Sequence, residues 1–498
     1  MDVTSTFSSS TRRHFLHGAA AGGVVVGVGG FSAVSQWFFR GREDGGAGGL
    51  GVFQPSQAAE VDEAAHVINR LTFGPAPGQH AMVTAMGARN FVEEQLAPAL
   101  IDDGAAERRS RQFEALGAWP AGELLEHDPR ALLDQLTRDK IHRAHHSRRQ
   151  LFEVMVDFWS DHFNIDPSKG DSRWLKPVDD RRVIRAHAMG NFADLVRASA
   201  LSPAMLWYLD GRDNRLGTSR ELPNENYARE LLELHTLGVH GGYTQRDVME
   251  VARCLSGWTV RARSGSRMAV GRVEFEAARH DDGSKEVLGT VIPAGLGRGD
   301  LDRVVELVAH HPATARHVAF KLCRRFVADD PPEAVVAAVA HVFSESRGDL
   351  RRTLAAVFGH EAVWASRGGK IKRPFHFVIS ALRATAARTD AGRAVQDYLL
   401  RMGHAPFQYP APDGYPEEAQ PWMATLLWRW RFAAELAANG IKGTSLDPVG
   451  LRAAAGGTEV ALAAHLLGRQ PTPAELAAAQ NCPSPLALLL ASPAFQTC

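Results

Sequence analysis

Cysteine is scarce: four residues in 498, at 254, 323, 482 and 498. That excludes a disulfide scaffold and any finger built on closely spaced thiolates. Excess charge of either sign is missing too, because Lys+Arg and Asp+Glu both total 56. A general nucleic-acid binder needs surplus cation to neutralise phosphate, so that class is disfavoured. Lysine is rare: 8 of the 56 cations, leaving 56 − 8 = 48 arginines. Past residue 39 no stretch is long and apolar enough to span a bilayer. Three common catalytic signatures are also absent: the Gly-x-Ser-x-Gly elbow, a phosphate loop, and a dinucleotide fingerprint followed by a strand–helix unit.

What is present begins with an address. Thr11-Arg12-Arg13-His14-Phe15-Leu16 precedes Gly18–Phe39, a Gly-, Ala- and Val-rich stretch without formal charge. A charged start, a weakly apolar run and paired arginines are the pattern of a twin-arginine export signal over residues 1–39. An uncleaved anchor is the alternative, and it would be the chain's one membrane contact. The Gly-rich run 40–60 follows as a linker. From Val61 the apolar spacing is helical almost throughout. The expectation is a mainly α protein with one large multi-helical domain over 61–440 and a helical extension over 441–498. The exception is Ser256–Pro293, where three short β-prone runs separated by Gly and Ser predict one or two small hairpins. Ala-, Leu- and Arg-rich helical stretches recur, among them those around 130–163 and 301–327. Cys254 and Cys323 fall in helical patterns as buried thiols, and Cys482 and Cys498 are near enough in sequence to pair.

Two helices carry the densest polar chemistry. At about 100° per residue, Glu225, Asn226, Arg229, Glu230 and Glu233 share one arc, with Asn224 as N-cap and Gly238 as the stop. Ion pairs on a solvated face account for such an arc; so does a site in which Glu225 or Glu230 acts as acid or base, Arg229 holds an anion and Asn226 contacts substrate. His235 and His162 fall on the opposite, inward sides of their helices. Either packs in the core, binds a metal or shuttles protons. Neither helix carries a Glu-x-x-His or His-Glu-x-x-His metal signature, so no metal ligands are assigned. Thr244-Gln245-Arg246-Asp247 has the spacing of a capping box. In the β-prone insert, His280, Asp281 and Lys285 lie within six residues as a second group of substrate-binding candidates or as a polar turn. Trp422, Trp428 and Trp430 cluster near the end of the chain, as core packing or a carbohydrate surface.

These segments resemble the bacterial domain-of-unknown-function 1800 family. The resemblance rests on His66–Pro75, on Phe158-Trp159-Ser160-Asp161-His162-Phe163, and above all on the run Glu225–Gly238. Gly242–Gln245, Gly257–Thr259, His280-Asp281, Lys285, Leu288-Gly289, Lys321–Pro332 and Ser492–Gln496 extend it over about 61–498. Asp161 stands where the family motif more often has Asn. The resemblance implies a helical, exported protein, periplasmic or secreted, whose cofactor and reaction are not established. It also implies a neighbour from the domain-of-unknown-function 1501 family, which looks like an exported phosphatase or sulfatase. Two expectations follow. One is an enzyme acting on a cell-surface or extracellular polymer through the Glu/Arg/His pocket. The other is a non-catalytic partner or scaffold of the phosphatase/sulfatase-like protein.

Overall fold

Why each helix starts and stops is written largely in its capping residues. Asp62 accepts the Ala65 N–H at 2.7 Å to open Glu63–Leu71, and Asp128 accepts from Arg130 and Ala131 to open Pro129–His146. Thr244 and Asp247 form the expected capping box at the head of Gln245–Cys254. The structure is a computed structural model that describes residues 61–117, 121–216, 222–261 and 269–498. The expected export signal (1–39) and linker (40–60) lie outside the described residues. Helices make up 62% of the structure, and the sheets are small two-stranded antiparallel pairs, so the protein is mainly α and multi-helical.

Two of the helical stretches each fold as two helices, for a local reason. The 130–163 pattern divides into Pro129–His146 and Gln150–His162. Between them Asp103 accepts from Ser147 Oγ and from the Arg148 N–H, both at 2.7 Å, which holds that backbone out of the helix. The 301–327 pattern divides into Gly299–Ala309 and Pro312–Phe326, because Pro312 has no N–H to continue the ladder and forces His311 extended. Of the expected hairpins, Trp258–Val260 pairs with Val273–Phe275, and Lys285–Val287 with Thr290–Ile292. The second turns through Leu288 and Gly289, both at positive φ, as a two-residue turn requires.

Residues 441–498 lie against the rest of the described chain. Thr444–Ser445 pairs with Arg388–Thr389, Thr497 bridges Ile371, and Phe495 stacks edge-on to Phe377 at 6.0 Å. All four cysteines are buried and free; Cys482 and Cys498 form no disulfide. Trp422 is buried and stacks on His404 at 5.0 Å, and Trp428 lies half-buried under Arg401 and Arg431. Trp430 stands in solvent. Among the described residues no helix is long and apolar enough to cross a membrane.

Candidate functional site

The arc on the 224–237 segment is at the surface. Asn224 Oδ1 takes the Asn226 N–H at 3.0 Å, so helix Asn226–Glu230 starts one residue later than its cap side chain implies, with Glu225 at the boundary. Arg229 bonds Glu225 at 2.7 Å and Gln245 at 2.8 Å, while Gln245 returns a bond to Glu225 at 2.6 Å. The triangle is closed and partly solvated: the Glu225 side chain is 37% exposed. Its hydrogen bond from Arg229 holds the Glu225 carboxyl below the usual range. Asn226 Nδ2 donates to Leu209 O at 3.1 Å, fastening the turn before it. Burial, then the charges of Asp166, Asp413 and Glu230, raise the Tyr208 phenol, and Glu230 also acts on Tyr243.

The second predicted group is interior. His280 and Lys285 are almost fully buried and converge on Asp300, at 3.2 and 2.5 Å. Lys285 Nζ also reaches Asp281 O, and Asp281 takes a two-pronged bond from Arg253 at 2.7 and 3.2 Å. The node ties the second hairpin to helix Gly299–Ala309. It does not meet the Glu225 arc through any of these contacts.

His162 and His235 are brought together. Both are buried, with ring centres 6.2 Å apart. At Leu231–His235 the helix widens into a π turn, and Thr236 Oγ1 donates to the Leu231 carbonyl at 2.6 Å. The His235 carbonyl accepts a hydrogen bond from His162 Nε2 at 3.0 Å, while Lys321 Nζ lies 2.9 Å from His162 Nδ1. A carbonyl can only accept and an ammonium can only donate, so this geometry selects neutral His162 with its proton on Nε2. Burial and the Lys321 charge push His162 well below the usual histidine range. The same two causes, with His317, take His235 to about 3, and burial with Lys321 takes His317 to about 4. Lys321 is itself lowered to about 8 by burial, opposed by the negative charges of Glu417, Asp161 and Asp413.

Beside this trio runs a buried charge network. Arg373 bonds Asp157 and Asp161 at 2.6 Å each, and sits 3.3 Å from Glu417. Lys140 reaches the other oxygen of Asp157 at 2.7 Å; Arg325 holds Glu417 at 3.2 Å. The two aspartates are one helical turn apart, yet they are driven in opposite directions. Burial would raise both. At Asp157, Lys140 and Arg373 outweigh it and the carboxyl falls below the usual range. At Asp161 burial wins over Arg373, the Asp157 charge adds to it, and the carboxyl rises to about 6. The charge on Asp161 is thus matched by Arg373.

The loop that closes over this end of helix Gln150–His162 is pinned from several sides. Asn164 Nδ2 donates to Tyr409 O and Ala411 O at 2.9 and 2.7 Å, Tyr208 Oη donates to Pro410 O at 2.9 Å, and Asp329 accepts the Ala419 N–H at 2.7 Å. Gly414, at φ 73°, lies so close to the Asp161 carbonyl that a Cβ would collide with it.

Sequence reasoning assigned no role to Lys321, His317, Asp157, Asp161, Arg373 or Glu417. One signal was available: in a chain with 48 arginines, lysine is the exception. Lys140, Lys176, Lys285, Lys321, Lys370 and Lys372 are all buried or largely so, each beside a specific partner. Among the described residues no group of three or more His, Cys, Asp or Glu side chains is arranged to hold a metal ion.

A family model described as "Protein of unknown function (DUF1800)" matches residues 66–497. No curated protein and no solved structure matches the chain.

Proposed function

The chain belongs to this family of proteins of unknown function, and from that premise we propose that it is an exported enzyme with an acid–base centre at Asp161 and Lys321. The observation that carries the reading is the Lys321–His162–His235 chain of contacts at 2.9 and 3.0 Å, beside an aspartate raised to about 6. Environments that push two titratable groups towards neutrality from opposite sides set up an acid and a base. At pH 7 Lys321 is mostly protonated and Asp161 mostly ionised. In hydrolysis Asp161 accepts the proton of the attacking water, and Lys321 gives one to the leaving oxygen. His162 is a positioning residue, because its Nδ1 fixes the ammonium. The substrate in this reading is a cell-surface or extracellular polymer, with Glu230 and Arg229 at the rim. The Arg12-Arg13 pattern supports export. The test is restoration of a deletion strain: Lys321→Met and Asp161→Asn are expected to fail while Glu225→Gln succeeds. Folded Lys321→Met and Asp161→Asn proteins that restore the strain as well as wild type defeat the reading. Once a substrate is found, kcat/KM should follow a bell with limbs near pH 6 and 8.

A second reading has one observation in its favour. Met423, Leu427 and Trp430 recur at i, i+4 and i+7, and each is at least 39% exposed. Such a stripe suits docking on an exported phosphatase- or sulfatase-like protein of the domain-of-unknown-function 1501 family. A stoichiometric partner that co-purifies with wild type and is lost in Leu427→Glu favours this scaffold role.

A further inference from the structure

His280, Lys285 and Asp300 meet in a part of the core that water does not reach. Their side chains are each 1% exposed, and Val287 and Ile292 on the same hairpin, with Leu301 beside Asp300, are no more open. Lys285 Nζ lies 2.5 Å from Asp300 Oδ2, so its distance from the carboxyl carbon exceeds that by no more than one C–O bond. The same Nζ donates to the Asp281 carbonyl. Asp300 Oδ1 has no hydrogen-bond partner. His280 Nδ1 is 2.9 Å from the Ser256 carbonyl and must donate to it, because a carbonyl only accepts. That leaves His280 Nε2 as an unspent acceptor, 3.2 Å from Asp300 Oδ2 but out of line for a hydrogen bond.

An ammonium and a carboxylate buried together both lose their hydration, and joining them as an amide removes both charges. Proximity lowers the barrier, since amine and carboxyl are already one unimolecular pair, and a site that excludes water protects the product. We propose that Lys285 and Asp300 condense into an isopeptide bond, with His280 carrying a proton between them. One ammonium proton passes to Asp300 Oδ2, and the freed Nζ lone pair forms a bond to Cγ. His280 Nε2 takes a second proton from the nitrogen and returns it to Oδ2. The Cγ–Oδ2 bond breaks, and that oxygen leaves as water with both protons. The third proton stays on the amide nitrogen, facing the Asp281 carbonyl, and Oδ1 becomes the amide oxygen. The two charges cancel and nothing is oxidised or reduced. The bond staples the hairpin that begins at Lys285 to helix Gly299–Ala309 across 15 positions. The inference does not depend on acid–base chemistry at Asp161 and Lys321.

The test is mass spectrometry of the full chain, denatured after purification and digested, so that the first reading needs no variant to fold. The expected species is a branched peptide with Lys285 Nζ joined to Asp300, lighter than its two parts by one water, with little Lys285 left free. Lys285→Arg and Asp300→Ala should lack the branch and keep the full mass of the uncondensed chain. His280→Phe should slow the step about a hundredfold, the scale of general acid–base catalysis, and leave most Lys285 free in freshly made protein. Wild-type peptides in which Lys285 and Asp300 are both unmodified overturn the proposal. So does a loss of one water that persists in Lys285→Arg and is reversed by mild base, which is an aspartate closing on its own backbone, as Asp282-Gly283 could. A His280→Phe protein linked as fully and as fast as the wild type overturns the imidazole's part in the step.

Discussion

A His235→Phe variant should lose less stability in acid than the wild type. His235 packs against Phe163 at 5.0 Å between ring centres, and neither of its ring nitrogens has a hydrogen-bond partner. Burial, then Lys321 and His317, lower it from 6.5 to about 3. Between those values the unfolded chain binds the proton and the folded chain does not. Stability from this group is therefore full above pH 6.5 and drains away as pH falls towards 3. At pH 4.5, two units below 6.5, the loss is about 2.7 kcal/mol at 1.36 kcal/mol per unit. Phenylalanine cannot titrate, so the variant avoids that share. At pH 7.5 the relief of desolvating unpaired nitrogens, about 1–3 kcal/mol, is set against about 1–3 kcal/mol for the larger ring. The two should come out within about 1 kcal/mol of each other, as opposed terms of the same size. Guanidinium unfolding followed by far-ultraviolet circular dichroism at pH 7.5 and 4.5 reads both numbers. An equal acid loss in variant and wild type would show that His235 is not held neutral. A drop of more than about 2 kcal/mol at pH 7.5, beyond the overpacking cost alone, would show that the imidazole is bonded.

Arg373→Met strips the common partner from Asp157 and Asp161 and should cost about 3–5 kcal/mol in chemical denaturation, because buried carboxylates are left uncompensated; a loss under about 1 kcal/mol would place that network in water. Gly414→Ala must meet both a positive φ and the Asp161 carbonyl, so a loss of about 1–3 kcal/mol and faster proteolysis within 404–419 are expected. Glu225→Gln opens a half-exposed triangle and should move unfolding by no more than about 0.5 kcal/mol; a larger change would mean the arc is structural.

Local signals in the sequence were legible where the physics is local. Thr244 and Asp247 sit three residues apart, Leu288-Gly289 turns the hairpin by its own backbone freedom, and His162 and His235 fall inward by helical spacing alone. The break at Ser147 was not legible, because the carboxylate that causes it is Asp103, 44 residues earlier. The charge network was hidden for the same reason on a larger scale: Arg373 meets Asp161 across 212 positions. Read singly, Asp157, Arg373 and Glu417 look like solvent-facing charges, and only the fold reveals that each is buried against another. The Glu225 arc was legible as an arc, but its partner Gln245 lies on the next helix, and that bond decides how much of it is free for chemistry.

The interior placement of lysine also makes the protein a selective target for amine chemistry. Lys169 and Lys442 are the two lysines that stand in solvent, so of the lysines an acylating reagent should modify those first. Labelling at Lys140, Lys321 or Lys372 then becomes a reporter of opening: each is an amine that reagent reaches only when the helices around it part. Mass spectrometry of the native protein after brief acetylation would give, residue by residue, the frequency with which this interior is exposed.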